Sequence, residues 1–201
     1  MGERGKKLLW SLLTASTFLI WYVLPNRTSP LREAVNVQFG FEHYIPFIPA
    51  AVIFYLAFFP YVLSLWRIKN YGQYLNLMRA IAVLGAISGI IYLIFPSTMP
   101  RPPAPSGDIF GLALGLFQTA DLPYNLFPSL HVSFAILTAL VKIYLAPRTR
   151  LWNWVAAGLI VLSTLLVKQH AVVDVVGGAI VAMLAFRYFI ICEDRRQKSE
   201  S

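Results

Sequence analysis

The chain of 201 residues is 58% hydrophobic and only 13% charged. Soluble domains carry about 25% charged residues, so this composition argues against a water-soluble domain and indicates an integral membrane protein. The net charge of +8 does not indicate nucleic-acid binding, because the cations lie in short segments beside apolar runs, where they set orientation and contact anionic lipids. The single cysteine excludes an intramolecular disulfide and a cysteine-based metal site.

Six apolar runs are each close to the roughly 20 residues that a helix needs to cross a bilayer. They cover residues 8–24, 45–66, 78–95, 128–146, 151–167 and 171–191. The first run follows Arg4, Lys6 and Lys7, as in a signal peptide, but its length and the lack of a small-residue cleavage site favour an uncleaved span. We therefore predict an all-α fold, with residues 1–201 forming one integral-membrane domain with six transmembrane helices in a bundle.

The cations are distributed unequally between the two sides of this bundle. Six spans place both termini on one side, which holds 13 of the 17 lysines and arginines. The other side holds Arg27, Arg32, Arg101 and Lys168. The positive-inside rule therefore predicts cytoplasmic termini.

The outer loop between the third and fourth predicted spans, residues 96–127, contains a second pattern. Five prolines keep its first part extended, and Ser106-Gly107-Asp108 then precedes an apolar stretch over residues 109–117. That stretch is too short to cross a bilayer, so we predict an interfacial helix over the site.

Three polar clusters end apolar runs on this outer side, at residues 99–103, 127–131 and 168–174. They supply two cations (Arg101 and Lys168), two imidazoles (His131 and His170) and one carboxylate (Asp174). Ionisable groups at the edge of a membrane bundle are costly and usually functional. Together these groups suit phosphoryl transfer at a bilayer surface.

His170 and Asp174 are four residues apart, so on a helix the carboxylate reaches the imidazole. A carboxylate on one ring nitrogen fixes the tautomer and leaves the other nitrogen free to attack. The alternative is a polar pair that satisfies itself at a helix end. A zinc set of His131, His170 and Asp174 is a further alternative, which the nearby cations and the lack of a known zinc motif disfavour.

Most of the other polar residues also allow two interpretations, one functional and one structural. His131 follows Pro128 and Ser129, which suit a helix start that attracts anions, so its imidazole can protonate a leaving oxygen or be an ordinary helix residue. Ser129 can cap the helix or hydrogen-bond a phosphate oxygen. Arg101 suits a phosphate, and Lys168 is either a second phosphate cation or an interfacial anchor. His43 has no partner pattern and is expected to be structural or to face headgroups.

In chain order, these clusters resemble the motifs KxxxxxxRP, PSGH and SRxxxxxHxxxD of the type 2 phosphatidic-acid phosphatase superfamily. The matching residues are Arg101-Pro102, Pro128-Ser129, His131, Ser163, His170 and Asp174. Three positions depart from the motifs, since Ile94 replaces the lysine, Leu130 the glycine and Thr164 the arginine. The form FPSLH is similar to the branch related to inositol phosphorylceramide synthases, which transfers a headgroup between lipids.

The resemblance implies roles for the catalytic residues. His170 attacks phosphorus to form a phosphohistidine, Asp174 orients it, and His131 protonates the departing alkoxide and later activates the incoming hydroxyl. The family uses no metal or other cofactor.

The resemblance also implies a phosphate-binding set. Arg101 and Ser129 hold the phosphate oxygens, and Lys168 is a candidate to replace the cation missing at Thr164, from which it is one helical turn away.

These inferences predict a lipid phosphatase that acts on a lipid phosphate or diphosphate at the extracytoplasmic or lumenal face of the bilayer. The short chain favours the phosphatase, whereas the motif style favours the alternative, a headgroup phosphotransferase. A binding or structural membrane protein with a decayed site is a third hypothesis, and a channel is disfavoured because charges are lacking in mid-span. The expected partners are the bilayer and a membrane lipid, and no pattern specifies an oligomeric state.

Overall fold

The computed structural model describes residues 2–27 and 33–199. These residues form the helices α1 (Glu3–Arg27), α2 (Val52–Leu63), α3 (Tyr71–Ile94), α4 (Ile109–Ala120), α5 (Leu130–Leu145), α6 (Arg150–Leu166), α7 (Val172–Ala185) and α8 (Glu193–Ser199). Two strands, β1 (Val35–Asn36) and β2 (Ser97–Thr98), pair in parallel. A π-helical stretch, Phe186–Cys192, joins α7 to α8. The prediction of an all-α fold is confirmed.

Within the described residues, five helices are long and apolar enough to cross a membrane. They are Glu3–Arg27, Pro49–Arg67, Tyr71–Ile94, Pro147–Leu166 and Val172–Cys192. The predicted fourth span forms α5, whose 16 residues extend about 24 Å. That length is just under the roughly 17–25 residues of a spanning helix. The count of six spans therefore stays a prediction.

The helix α3 begins seven residues before the predicted span at residue 78. Asn70 caps its N-terminus, because the side chain accepts a hydrogen bond from the Gln73 backbone N–H at 3.0 Å. The polar residues that hid this start from the sequence pattern are Gln73 and Asn76, and the helix accommodates Asn76 as a buried residue.

The centre of the bundle is α5, which packs against α2, α6 and α7, while α1 packs along α3. Close approach between α1 and α3 depends on Gly89, where an added Cβ would lie 2.5 Å from the Trp21 carbonyl oxygen. The outward faces of the helices carry large exposed apolar side chains, such as Leu19, Val155 and Val176. Such faces are typical of helices that contact lipid.

Two glycines in α7 set its distance from the start of α5. A Cβ added to Gly178 would lie 2.5 Å from the Ser129 carbonyl oxygen, and one added to Gly177 would lie 2.4 Å from the Phe127 ring. The Ser129 N–H also donates to the Asp174 carbonyl at 3.1 Å. The segment before α5 therefore lies directly against the α7 backbone.

The end of the bundle that the sequence predicts to be the outer end, a term kept below, is covered by its loops. The pairing of β1 with β2 joins the first outer loop to the loop before α4, and Ser97 Oγ accepts the Phe127 N–H at 2.8 Å. Asp108 caps α4 by accepting the Gly111 N–H at 2.7 Å. One face of α4 buries Leu114, whereas Ile109 on the other face is 73% exposed. The predicted short helix is therefore present, and its interfacial position stays a prediction.

Candidate active site

A cavity of about 740 Å³ lies between α1, α2, α3 and α5, beneath the C-terminal end of α4. His131 and His170 both line it, near its outer end. The two imidazoles come from segments 39 residues apart, and the fold places them at one space. The cavity also receives Asp121 and Asn125, two polar residues that the sequence analysis did not select.

His131 lies in the first turn of α5. Ser129 is the N-cap, and its hydroxyl accepts the Val132 N–H at 3.2 Å, so the capping interpretation of this serine is what the geometry shows. The Tyr92 hydroxyl donates to the Pro128 carbonyl at 2.7 Å and fixes the turn before the helix.

The His131 ring stacks between the rings of Tyr55 and Phe58, with centroid distances of 4.0 and 3.8 Å. Its Nε2 lies 3.0 Å from the Tyr55 carbonyl oxygen. Because a carbonyl can only accept, Nε2 is assigned the proton, and Nδ1 is the ring nitrogen that can take up or release one. The stacked ring and the hydrogen bond hold that nitrogen in a fixed orientation.

His170 and Asp174 are paired, but not on one helical face as predicted. Ala171 is extended (φ −84°, ψ 164°), so α7 begins at Val172 and His170 lies in the turn before it. His170 Nδ1 is 3.5 Å from Asp174 Oδ2, and the same oxygen accepts the Ala171 N–H at 2.7 Å. The carboxylate is fully buried, so its negative charge acts on the imidazole with little screening by water.

The turn that carries His170 ends α6 in a Schellman arrangement. The Thr164 carbonyl accepts the Gln169 N–H at 3.0 Å, and the Leu165 carbonyl accepts the Lys168 N–H at 3.2 Å. Lys168 has φ 54°, in the left-handed region. The prediction that Lys168 lies one helical turn above Thr164 is therefore wrong, because the helix ends between them.

Lys168 is 8% exposed, and its Nζ donates to the Glu42 carbonyl at 3.0 Å. The Glu42 side chain, which is also buried, accepts the Val172 N–H at 3.1 Å and the Phe39 N–H at 3.1 Å. Glu42 thus joins the first outer loop to both ends of the His170 turn. The neighbouring His43 is exposed.

Replacing Lys168 with methionine is expected to lower kcat about tenfold with little change in KM, because a loosened turn misplaces His170 for attack. Lys168→Arg retains a donor and should recover most of kcat, and Lys168→Gly controls for the left-handed backbone. Steady-state kinetics on the three variants measure this. A rise in KM at unchanged kcat would instead indicate the direct phosphate contact that the sequence predicts for Lys168.

Arg101 is joined to the cavity through Asp121. Its Nη1 donates to the Asp121 carbonyl at 2.6 Å, and its Nη2 lies 3.7 Å from Asp121 Oδ2. Asp121 Oδ1 also accepts the Tyr22 hydroxyl at 2.5 Å and the Asn26 amide at 3.2 Å. Arg101 Nε is buried and has no hydrogen-bond partner among the described residues.

Removing the Arg101 side chain is expected to raise KM several-fold, because a guanidinium near the outer end of the cavity contributes a charge-assisted contact to phosphate. Arg27→Ala is the matched control, since Arg27 is another outer cation bonded to the same region, through the Ala120 carbonyl at 2.7 Å, but is exposed. The KM values of the two variants are measured by steady-state kinetics with a lipid phosphate. Equal effects of both substitutions would exclude a specific role for Arg101.

The six predicted site residues thus fall into two groups. His131 and His170 line the cavity, with Asp174 directly behind His170. Arg101, Ser129 and Lys168 lie in the structure around it and are not among its described lining residues. Among the described residues, no three His, Cys, Asp or Glu side chains are grouped as a metal site would require.

Comparisons with known proteins agree with the motifs. The catalytic subunit aur1 of inositol phosphorylceramide synthase from Schizosaccharomyces pombe is 28% identical over 163 residues, which cover 75% of this chain and 38% of that relative. The chain therefore spans less than half of the length of the curated relative that it matches. No solved structure matches. A family model described as the PAP2 superfamily matches residues 26–188, which include all three polar clusters. The chain belongs to the PAP2 superfamily.

Proposed function

We propose that the chain is a membrane-embedded, metal-independent lipid phosphatase that hydrolyses a lipid phosphate or diphosphate through a phosphohistidine. The observation that supports this most is the position of His131 and His170 at the outer end of one cavity with apolar walls. A phosphate at this end can meet both imidazoles while the lipid remains in an apolar environment.

In the first step, His170 Nε2 attacks phosphorus while Asp174, beside Nδ1, stabilises the imidazolium. A phosphorus–nitrogen bond forms as the phosphorus–oxygen bond to the lipid breaks. In this step His131 reacts as the imidazolium, so Nε2 keeps its hydrogen bond to the Tyr55 carbonyl while Nδ1 gives its proton to the departing oxygen. In the second step, His131 takes a proton from water, the water oxygen attacks phosphorus, and inorganic phosphate leaves with His170 restored.

Positive groups around the cavity support the negative charge that develops in both steps. Arg101 lies beside Asp121 at the outer end, and the first turn of α5, capped by Ser129, adds the partial positive charge of a helix N-terminus. A phosphate that binds here would share the Arg101 guanidinium with Asp121. Preorganised donors of this kind supply about 3 kcal/mol each to transition-state stabilisation.

The proposed site opens on the extracytoplasmic face, with both termini in the cytoplasm. This orientation is supported by the 13 cations on the side of the termini against four on the other side. It also places the substrate headgroup in the outer leaflet.

A second candidate is a headgroup phosphotransferase, favoured by the similarity to the synthase subunit from Schizosaccharomyces pombe. The first step would form the same kind of covalent intermediate on His170. The two functions differ in the acceptor, because an alcohol on a second lipid would replace water.

The test is a panel of lipid phosphates, diphosphates and phosphodiesters with purified protein in vesicles, with and without acceptor alcohols. Released phosphate and exchanged headgroup are measured together, and His170→Ala protein gives the background. We expect phosphate release without an acceptor. Turnover that requires an acceptor would favour the transferase, and turnover unaffected by His170→Ala would reject both.

Metal chelation provides a separate prediction. We expect EDTA to leave turnover unchanged, because the proposed neutralising charges are side chains and a helix N-terminus rather than a cation. Activity is measured before and after dialysis against the chelator. Inhibition that zinc reverses would contradict the proposed chemistry.

A further inference from the structure

The cavity continues from the reactive imidazoles far towards the cytoplasmic end of the bundle. Its lining on α1 runs from Tyr22 to Ser11, and its lining on α3 runs from Tyr92 to Tyr74. These pairs are eleven and eighteen residues apart, or about 16 Å and about 27 Å at the helical rise. Half of the hydrocarbon core is about 15 Å thick. The cavity therefore reaches past the depth of the outer leaflet.

The walls between the two ends are apolar. They include Phe18, Phe58, Val62, Met78 and Phe134, from four different helices. Thr14 is a polar residue in this stretch, one turn from Ser11, and apolar side chains form most of the rest of the walls. A hydrocarbon chain is the kind of group that such walls accommodate.

Polar groups are concentrated at the two ends, and the ends differ. The outer end carries Asp121, His131 and His170. At the inner end, the hydroxyls of Ser11 and Tyr74 are hydrogen-bonded to each other. Only the outer end presents the proposed catalytic groups to a phosphate. At the inner end, the two hydroxyls already satisfy each other.

A lipid of the cytoplasmic leaflet fits the cavity less well. Its headgroup would lie near Lys7, but this amine donates to the backbone carbonyls of Ile68, at 2.5 Å, and Lys69, at 3.3 Å. The same amine lies over the Tyr74 ring at 5.2 Å. Lys7 is therefore engaged by the protein itself.

We infer that the cavity holds one hydrocarbon chain of the substrate, with its phosphate at the imidazoles and its end beyond the bilayer midplane. The substrate class is then a phosphate or diphosphate of a lipid with at least one hydrocarbon chain long enough to fill this cavity. This inference rests on the proposed function, because it takes the outer end as the reacting end. It adds a preference for chain length, set by the inner half of the cavity.

The first experiment narrows the inner half with Ala15→Trp, because Ala15 lines the cavity one turn from Ser11. The matched control is Leu12→Trp on the same helix, since Leu12 is not among the described lining residues of the cavity. A short-chain and a long-chain monoalkyl phosphate are compared in bicelles. We expect Ala15→Trp to lower kcat/KM about tenfold or more for the long chain and less than about twofold for the short chain. Leu12→Trp should change neither. An unchanged ratio of long-chain to short-chain kcat/KM in Ala15→Trp would overturn the inference while leaving the proposed function intact.

The second experiment requires no turnover, so it separates failure of the inference from failure of the proposed function. His170→Ala protein is irradiated with long-chain phosphates that carry a diazirine either at the chain end or next to the phosphate. We expect the chain-end probe to label Met78 or Ile81 and the phosphate-proximal probe to label residues near Phe58. Labelling of outward residues alone would overturn the inference. Labelling of the inner end by the phosphate-proximal probe would do the same, since it would indicate a lipid of the cytoplasmic leaflet.

Discussion

Substitution of His170 by alanine is expected to lower kcat about a thousandfold or more, because the proposed covalent intermediate forms on its imidazole. His170 is the lining histidine with a carboxylate at Nδ1, so its other nitrogen is the proposed nucleophile. Turnover of a lipid phosphate is measured in vesicles. After a brief reaction with phosphate-labelled substrate, quenched in alkali, the protein should carry the label. Acid should then release the labelled phosphate rapidly, because a phosphohistidine is labile in acid.

The control for this prediction is His43→Ala. His43 is exposed, although it is next to Glu42 in the chain. It is not among the described residues that line the cavity. We expect it to keep full kcat and full labelling. Comparable turnover by the two alanine variants would leave the proposed mechanism without its nucleophile.

Substitution of His131 is expected to lower kcat by about 10²–10⁴-fold on an alkyl phosphate, because the departing alkoxide then lacks a proton donor. The loss should depend on the leaving group. With a nitrophenyl ester, whose alcohol leaves without protonation, His131→Ala should release one equivalent of nitrophenol rapidly and then turn over slowly, since the second step still lacks its base. His170→Ala should show no nitrophenol burst with the ester and no rapid hydrolysis of the alkyl phosphate.

Packing effects are separated from proton transfer by His131→Gln, which fills part of the space between Tyr55 and Phe58 and retains an amide donor for the Tyr55 carbonyl. The glutamine variant should behave like the alanine variant in both assays. If His131→Gln kept normal rates on the alkyl phosphate, the imidazole would be a structural group. If both variants lost the nitrophenol burst, His131 would position the substrate instead of donating a proton.

The all-α fold and the grouping of His131, His170 and Asp174 could be predicted because both have local signals. Apolar runs are visible along the chain, and His131, His170 and Asp174 lie in short motifs with fixed spacing. The two strands could not be predicted, because Val35–Asn36 and Ser97–Thr98 are too short to show a period. The start of α3 was misplaced because Gln73 and the buried Asn76 interrupt the hydrophobic pattern of its first two turns.

The supporting groups of the site could not be predicted from the sequence. Glu42 lies 126 residues from Lys168, and Asp121 lies 99 residues from Tyr22, so neither contact has a local pattern. The predicted position of Lys168 was wrong for a different reason. A left-handed conformation is uncommon for a residue other than glycine, so helical spacing was extended through a residue that ends the helix.

Gly177 and Gly178 of α7 lie directly against the segment before α5. The distance between the segments that carry His131 and His170 is therefore set largely by main-chain contact. Most of the tail-binding walls proposed above are side chains on α1, α2 and α3, away from that contact, and Phe134 on α5 completes them. Chain preference could therefore change by substitution along those three helices while the reacting atoms keep their spacing. Redesign for a new lipid should leave Gly177 and Gly178 unchanged and vary only the apolar walls of the cavity.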